Sequence, residues 1–131
     1  AAIREKGLDE RVTLLGHRDD VPRLVSAFDA IVLPSLKNEA TSQVIPQGML
    51  VGVPAIVSSA GGLTEVVADG ETGLVVPPGD AEALAGALSR YARDPDFARG
   101  CAERAHRMAS RELTFDKQVD RTLEAYRFAL R

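Results

Sequence analysis

The sequence predicts an α/β domain, a parallel β-sheet with helices on both of its faces. Three observations point there. Residues 30–34 (AIVLP), 54–58 (PAIVS) and 73–76 (GLVV) are short, continuous apolar runs. They have the length of strands and lack alternation, as strands buried on both faces do. Between and after them lie segments that carry helix start signals, so that strands and helices alternate. Glycine and proline pairs, Gly61-Gly62 and Pro77-Pro78, punctuate the boundaries.

Taken in order, residues 1–7 read as the tail of a helix stopped at Gly7. With alanine rather than methionine first, the chain is expected to be a piece of a longer architecture. Residues 11–16 (RVTLLG) are β-rich, end in glycine and are expected to form a strand. Asp19, Asp20 and Pro22 open a helix through about Phe28. The strand at 30–34 leads into a polar loop, 35–41, and then a helix over 42–51 capped by Ser42 or Thr41. After the strand at 54–58, Gly61-Gly62 turns the chain into a short helix over 63–68, with Glu65 as its cap. Asp69-Gly70 makes a further turn before the strand at 73–76.

Beyond Pro77-Pro78 the pattern is helical. Asp80 caps a helix on which Leu84, Ala87, Leu88 and Tyr91 recur at helical spacing. Asp94-Pro95 starts another through about Ser110, and Thr114, with Gln118 beyond it, opens the last. Leu123, Tyr126 and Leu130 line one face of that helix. The expected organisation is one partial domain, an α/β core over 1–93 followed by C-terminal helices over 94–131.

Composition narrows the function. The 131 residues can bury a core without disulfides or metal. A net charge of −3 argues against a broadly attractive surface for nucleic acid or anionic lipid. With no Trp and 5% aromatics, stacking platforms for single-stranded nucleic acid are not expected. The single cysteine, Cys101, excludes an internal disulfide and a cysteine-based metal cluster. A cytosolic setting is the simplest fit. No apolar run approaches the roughly 18 residues of a membrane span, and no signal peptide is visible. His106 lies among charged residues of a helix and reads as structural, and no spacing suggests zinc or a G-x-S-x-G nucleophile.

In open parallel sheets ligands bind at the carboxyl ends of the strands. That rule selects four segments: 16–18, 34–42, 58–62 and the turn after Val76. The second is Ser35-Leu36-Lys37-Asn38-Glu39-Ala40-Thr41-Ser42, between a buried strand and a helix. The first N–H groups of that helix have no internal partners and favour an anion such as a diphosphate. Ala40, Thr41 and Ser42 are small enough for close approach, and two of them carry hydroxyls. Glu39 is placed to accept hydrogen bonds from sugar hydroxyls; a solvated loop acid is the competing reading. Gln47 offers an acceptor and a donor that suit a ribose, although a surface glutamine is the plainer reading. Gly61 and Gly62 allow backbone to approach a ligand, or simply make a turn. His17 and Arg18 stand where they reach a base or phosphate, or are exposed loop residues.

Together Leu33-Pro34-Ser35, Glu39, Gln47, Gly52-Val53-Pro54, Ala60-Gly61-Gly62, Glu65-Val66-Val67, Asp69-Gly70, Thr72-Gly73-Leu74-Val75-Val76-Pro77-Pro78 and Gly79-Asp80 resemble the group 1 (family 4) glycosyltransferases. The resemblance runs in order from about Arg11 to Asp80, and the helices that follow also fit. It implies the C-terminal, donor-binding half of a two-domain GT-B enzyme, with Rossmann-like halves and the active site between them. Such enzymes transfer a sugar from a nucleotide diphosphate sugar to a saccharide, lipid or small acceptor. They do so with retention of configuration and no obligatory metal.

The resemblance implies that Glu39 contacts the donor sugar. At the position where the family usually has a second glutamate on the ribose, this chain has Gln47. Where the family loop often reads E-G-F-G, it has Glu39-Ala40-Thr41-Ser42. The family's basic Arg and Lys pair, which neutralises the diphosphate, is expected upstream of this chain, as is the acceptor-binding half. The implied setting is cytoplasmic, with peripheral attachment of the parent at the inner face of the membrane left open. Missing strands are expected to leave a sheet edge or apolar face that drives self-association. Two other functions stay open: a non-catalytic nucleotide-binding or scaffold module, and a nucleotide-sugar epimerase of the same architecture.

Overall fold

The computed structural model describes residues 2–37, 39 and 42–130. Strands β1 (Ile31–Leu33), β2 (Ala55–Ser58) and β3 (Gly73–Val76) form a parallel sheet in the order β1-β2-β3. Ile31 pairs with Ala55 and Ala55 with Gly73; Leu33 pairs with Val57 and Val57 with Val75. This register puts side chains of equal parity on one face across all three strands. β2 is buried along its whole length.

Each face has its own core. On one, Ile31, Ala55 and Val57 pack with Val25 of α2 (Val21–Val25), Ile45 and Met49 of α3 (Val44–Leu50), and Leu63 of α4 (Leu63–Val66). On the other, Ile56, Leu74 and Val76 pack with Ala87 and Tyr91 of α5 (Ala81–Arg93). Each large aliphatic side chain so removed from water contributes about 1.5–3 kcal/mol.

Helix α6 (Pro95–Glu112) joins the two layers. Ala98 and Cys101, near its start, belong to the second core, whereas Ala105 and Ala109, further on, belong to the first. Arg104 Nε donates to the carbonyl of Glu71 at 2.7 Å, and His106 Nδ1 lies 3.0 Å from the carbonyl of Leu50. α6 thus crosses beneath the amino ends of the strands, and its small side chains let it pass closely. The helix caps follow the sequence pattern. Asp80, Asp94 and Thr114 accept from the N–H groups of Ala83, Phe97 and Lys117, opening α5, α6 and α7 (Phe115–Ala129).

The motif around Asp69 closes the sheet's outer side. Asp69 Oδ1 accepts the Val75 N–H of β3 at 2.9 Å, and Thr72 Oγ1 accepts the Ala68 N–H at 2.9 Å. The carboxylate occupies a donor that an edge strand otherwise presents to a second chain.

Four expectations need correction. Residues 11–16 are not a strand. The Arg11 and Val12 N–H groups both turn back to the carbonyl of Leu8, and Leu14 is 83% exposed. A β-rich run becomes a strand only beside a partner ladder. α2 ends at Val25 rather than near Phe28, because the Ser26 hydroxyl takes the carbonyl of Arg23 and the following N–H groups bond only three residues back.

α3 starts at Val44 with Gln43 as its N-cap, and among the described residues no side chain caps it, so Ser42 is not the cap; Thr41 lies outside the described residues. Pro46 explains the shift. Its missing N–H costs nothing in the third helical position, where no internal acceptor exists, but an earlier start would waste a bond. The first bond of the helix runs accordingly from Gln47 N–H to the Gln43 carbonyl at 3.2 Å. Lastly, α4 stops at Val66 and its N-cap is Gly62, with no side-chain cap from Glu65.

A short N-terminal turn, α1 (Ala2–Glu5), precedes all of this. Among the described residues, no helix is long and apolar enough to cross a membrane.

Candidate functional site

The carboxyl ends of the strands converge on Glu39. β1 runs out through Pro34 into Ser35, and β2 ends at Ser58, whose side chain is buried although polar. Ser58 Oγ donates to the Ser35 carbonyl at 2.7 Å. This bond satisfies the buried hydroxyl and ties the loop after β1 to the neighbouring strand. Ser35 Oγ in turn donates to Glu39 Oε2 at 3.0 Å.

The turn after β2 holds the backbone of the same residue. The Gly62 N–H donates to the Glu39 carbonyl at 3.0 Å. Gly61 has φ +57°, a left-handed conformation that favours glycine. A Cβ at Gly61 would collide with the Glu39 carbonyl oxygen and stand 2.7 Å from its backbone nitrogen. The two glycines therefore have separate tasks. Gly61 makes room for the Glu39 backbone, and Gly62 bonds to it. The turn after β3 joins the same end of the sheet through Leu36, whose Cδ2 lies 3.7 Å from where a Cβ of Gly79 would be.

The structure thus brings Glu39, Gly61 and Gly62 together. Glu39 is half-buried, with one carboxylate oxygen occupied by Ser35. Ser42 and Gln47 are half-buried, Ser42 just ahead of α3 and Gln47 within it. Ala40 and Thr41 lie outside the described residues.

His17 and Arg18 are engaged with acids beside them. The His17 ring lies 3.4 Å from Asp19 Oδ1. Arg18 donates through Nε and Nη2 to the two oxygens of Asp20, at 2.7 and 2.6 Å. This bidentate bond holds the Asp20 carboxyl below its ordinary value and the Arg18 guanidinium above its own. Among the described residues, no group of three or more His, Cys, Asp or Glu is placed to hold a metal ion.

Sequence reasoning did not assign roles to Ser35 and Ser58. The available signal was a serine closing an otherwise apolar strand at its carboxyl end, where a buried hydroxyl must find a partner.

Known proteins resemble this chain over most of its length. Residues 1–94 match the family model described as glycosyl transferases group 1. The chain belongs to the group 1 glycosyltransferases. It is 36% identical over 110 residues to the exopolysaccharide phosphotransferase SCO2592 of Streptomyces coelicolor, covering 83% of this chain and 12% of that protein. It is 30% identical to the N-acetyl-alpha-D-glucosaminyl L-malate synthase of Bacillus anthracis, covering 98% of this chain and 34% of that one.

Among solved structures, Anabaena Alr3699/HepE in complex with UDP superimposes with a TM-score of 0.86 at 32% identity, over 94% of this chain and 35% of that one. The same protein is also solved with UDP-glucose. The chain thus spans about a third or less of the length of the relatives it matches. These neighbours share the Rossmann-like arrangement of parallel strands and covering helices found here.

Proposed function

We propose that this chain is the donor-binding part of a GT-B glycosyltransferase that moves a sugar from a nucleotide diphosphate sugar to a saccharide, lipid or small acceptor, with retention of configuration. One observation carries the reading. Glu39 is fixed through its carbonyl and its carboxylate at the carboxyl end of β1, where open sheets bind ligands. The likeness to a protein solved with UDP and with UDP-glucose supports it.

In this reading the other carboxylate oxygen of Glu39 accepts from donor-sugar hydroxyls, and Gln47 engages the ribose with its carbonyl and amide. Ser42 and the backbone of Gly61 and Gly62 hold the diphosphate, a role that the sequence resemblance also gives to Ala40 and Thr41. His17 and Arg18 lie near the base, Arg18 sharing its charge with Asp20. The departing diphosphate is met by N–H groups and by basic residues from outside this chain, with no obligatory metal. A second, N-terminal half binds the acceptor. The protein works in the cytoplasm.

Calorimetric titration with UDP, GDP, ADP and CDP tests the reading. One diphosphate should bind saturably, with affinity reduced about fivefold to tenfold by Gln47→Ala. Equal affinity in Gln47→Ala would remove the ribose role. The glutamine at this position favours a second reading, a non-catalytic nucleotide-binding module. Product analysis on the intact protein separates the two, since a transferase yields transferred sugar and a binding module yields none. An altered but untransferred sugar would mark an epimerase.

A further inference from the structure

We infer that Ser35 is a positioning residue for the donor sugar: its hydroxyl occupies Glu39 Oε2 and so turns the other carboxylate oxygen toward the ligand. The inference rests on the donor-site reading and adds a residue to it.

The geometry forms a relay. The backbone of Ser35 is held by Ser58, whose Oγ donates to the Ser35 carbonyl at 2.7 Å and whose side chain is 1% exposed. A buried hydroxyl with one bond has little freedom to move. The Ser35 backbone is therefore referenced to β2, at the centre of the sheet. Its own hydroxyl reaches Glu39 Oε2 at 3.0 Å. The Glu39 backbone is referenced separately, through the Gly62 N–H and the Gly61 contact.

A glutamate has three side-chain torsions, and the terminal one is broad. Fixing its backbone alone leaves the carboxylate free to swing. A hydrogen bond to one oxygen removes that freedom before ligand binds, so the ordering entropy is not lost on binding. With its proton committed to the carboxylate, the Ser35 hydroxyl has only acceptor capacity left to offer a ligand. Removing it should weaken recognition of the sugar and leave recognition of the nucleoside diphosphate alone.

The test uses the intact protein and calorimetry. The probes are UDP-, GDP- and ADP-glucose, each paired with its own diphosphate. For the nucleotide that binds, wild type should prefer the glucose conjugate over the diphosphate. Glu39→Gln should abolish that preference. Ser35→Ala should reduce affinity for the conjugate roughly tenfold with the diphosphate unchanged. Ser35→Thr, which keeps the hydroxyl, should restore it.

If Glu39→Gln weakens the conjugate and Ser35→Ala does not, the positioning role is overturned and the donor-site reading stands. If Ser35→Ala weakens both ligands equally, Ser35 is a structural support of the loop and the proposal fails. If wild type binds none of the probes, or Glu39→Gln changes nothing, the donor-site reading itself falls and the proposal goes with it.

Discussion

The two ends of the sheet are finished by different physics. At the amino end α6 crosses from one core to the other on a stripe of small side chains, Ala98, Cys101, Ala102, Ala105 and Ala109. Tyr91 reinforces this end by donating its hydroxyl to the carbonyl of Ala55 at 3.0 Å. At the carboxyl end the contacts are few and directional: two serine hydroxyls, one glycine N–H and one glycine without a side chain. Apolar packing spreads its energy over many atoms. A directional clamp concentrates it in single groups. A single substitution therefore acts most sharply at the clamp and is more readily absorbed at the packed end.

The largest expected effect is at the carboxyl end. Gly61→Ala places a methyl group on the Glu39 backbone and a side chain at φ +57°. The collision and the left-handed strain together should cost about 3 kcal/mol, read as a lower midpoint of urea unfolding, together with loss of nucleotide-sugar binding. An alanine variant that unfolds with wild-type urea dependence and keeps its ligand would mean that the Glu39 backbone is not seated against Gly61.

The same contrast decides what could be read in advance. The three strands of the sheet were legible because continuous apolar runs of strand length, bounded by glycine and proline, have few other solutions. The caps at Asp80, Asp94 and Thr114 were legible because each is a local device. The run at 11–16 was not, because strandedness depends on a neighbour that no local pattern announces. The start of α3 was placed too early, because the missing N–H of Pro46, which sets the earliest acceptable first turn, was not weighed. Glu39, Gly61 and Gly62 were each singled out by their position after a strand. Their mutual contact was not, because it joins loops from different strands. Ser35 and Ser58 carried no signal beyond position, and the passage of α6 under the sheet is a tertiary fact.

A smaller effect is expected at the closed end. Tyr91→Phe removes the bond to the Ala55 carbonyl and should cost about 1–2 kcal/mol at neutral pH. The change also has a pH signature. Burial, the largest cause, raises the Tyr91 phenol above its ordinary 10.0. A group raised in the folded state gives stability that is fully present below its unfolded value and is lost as pH climbs toward the folded one. The stability gap between wild type and Tyr91→Phe should therefore narrow above about pH 10. A gap that stays constant from pH 8 to 11 would show that the phenol is not desolvated.

The smallest effect has the opposite sign and uses the same substitution as the largest. Gly86 lies inside α5, and a Cβ built there meets nothing within 4 Å. Its φ is not positive. Gly86→Ala should therefore stabilise the chain by about 0.5–1 kcal/mol, since alanine restricts the unfolded chain and suits a helix better. Donor affinity should be unchanged, because Gly86 is exposed and the added methyl group touches nothing. One methyl group added to glycine would then lower stability at position 61 and raise it at position 86. If Gly86→Ala destabilised the chain, the open space beside Gly86 would not exist in solution.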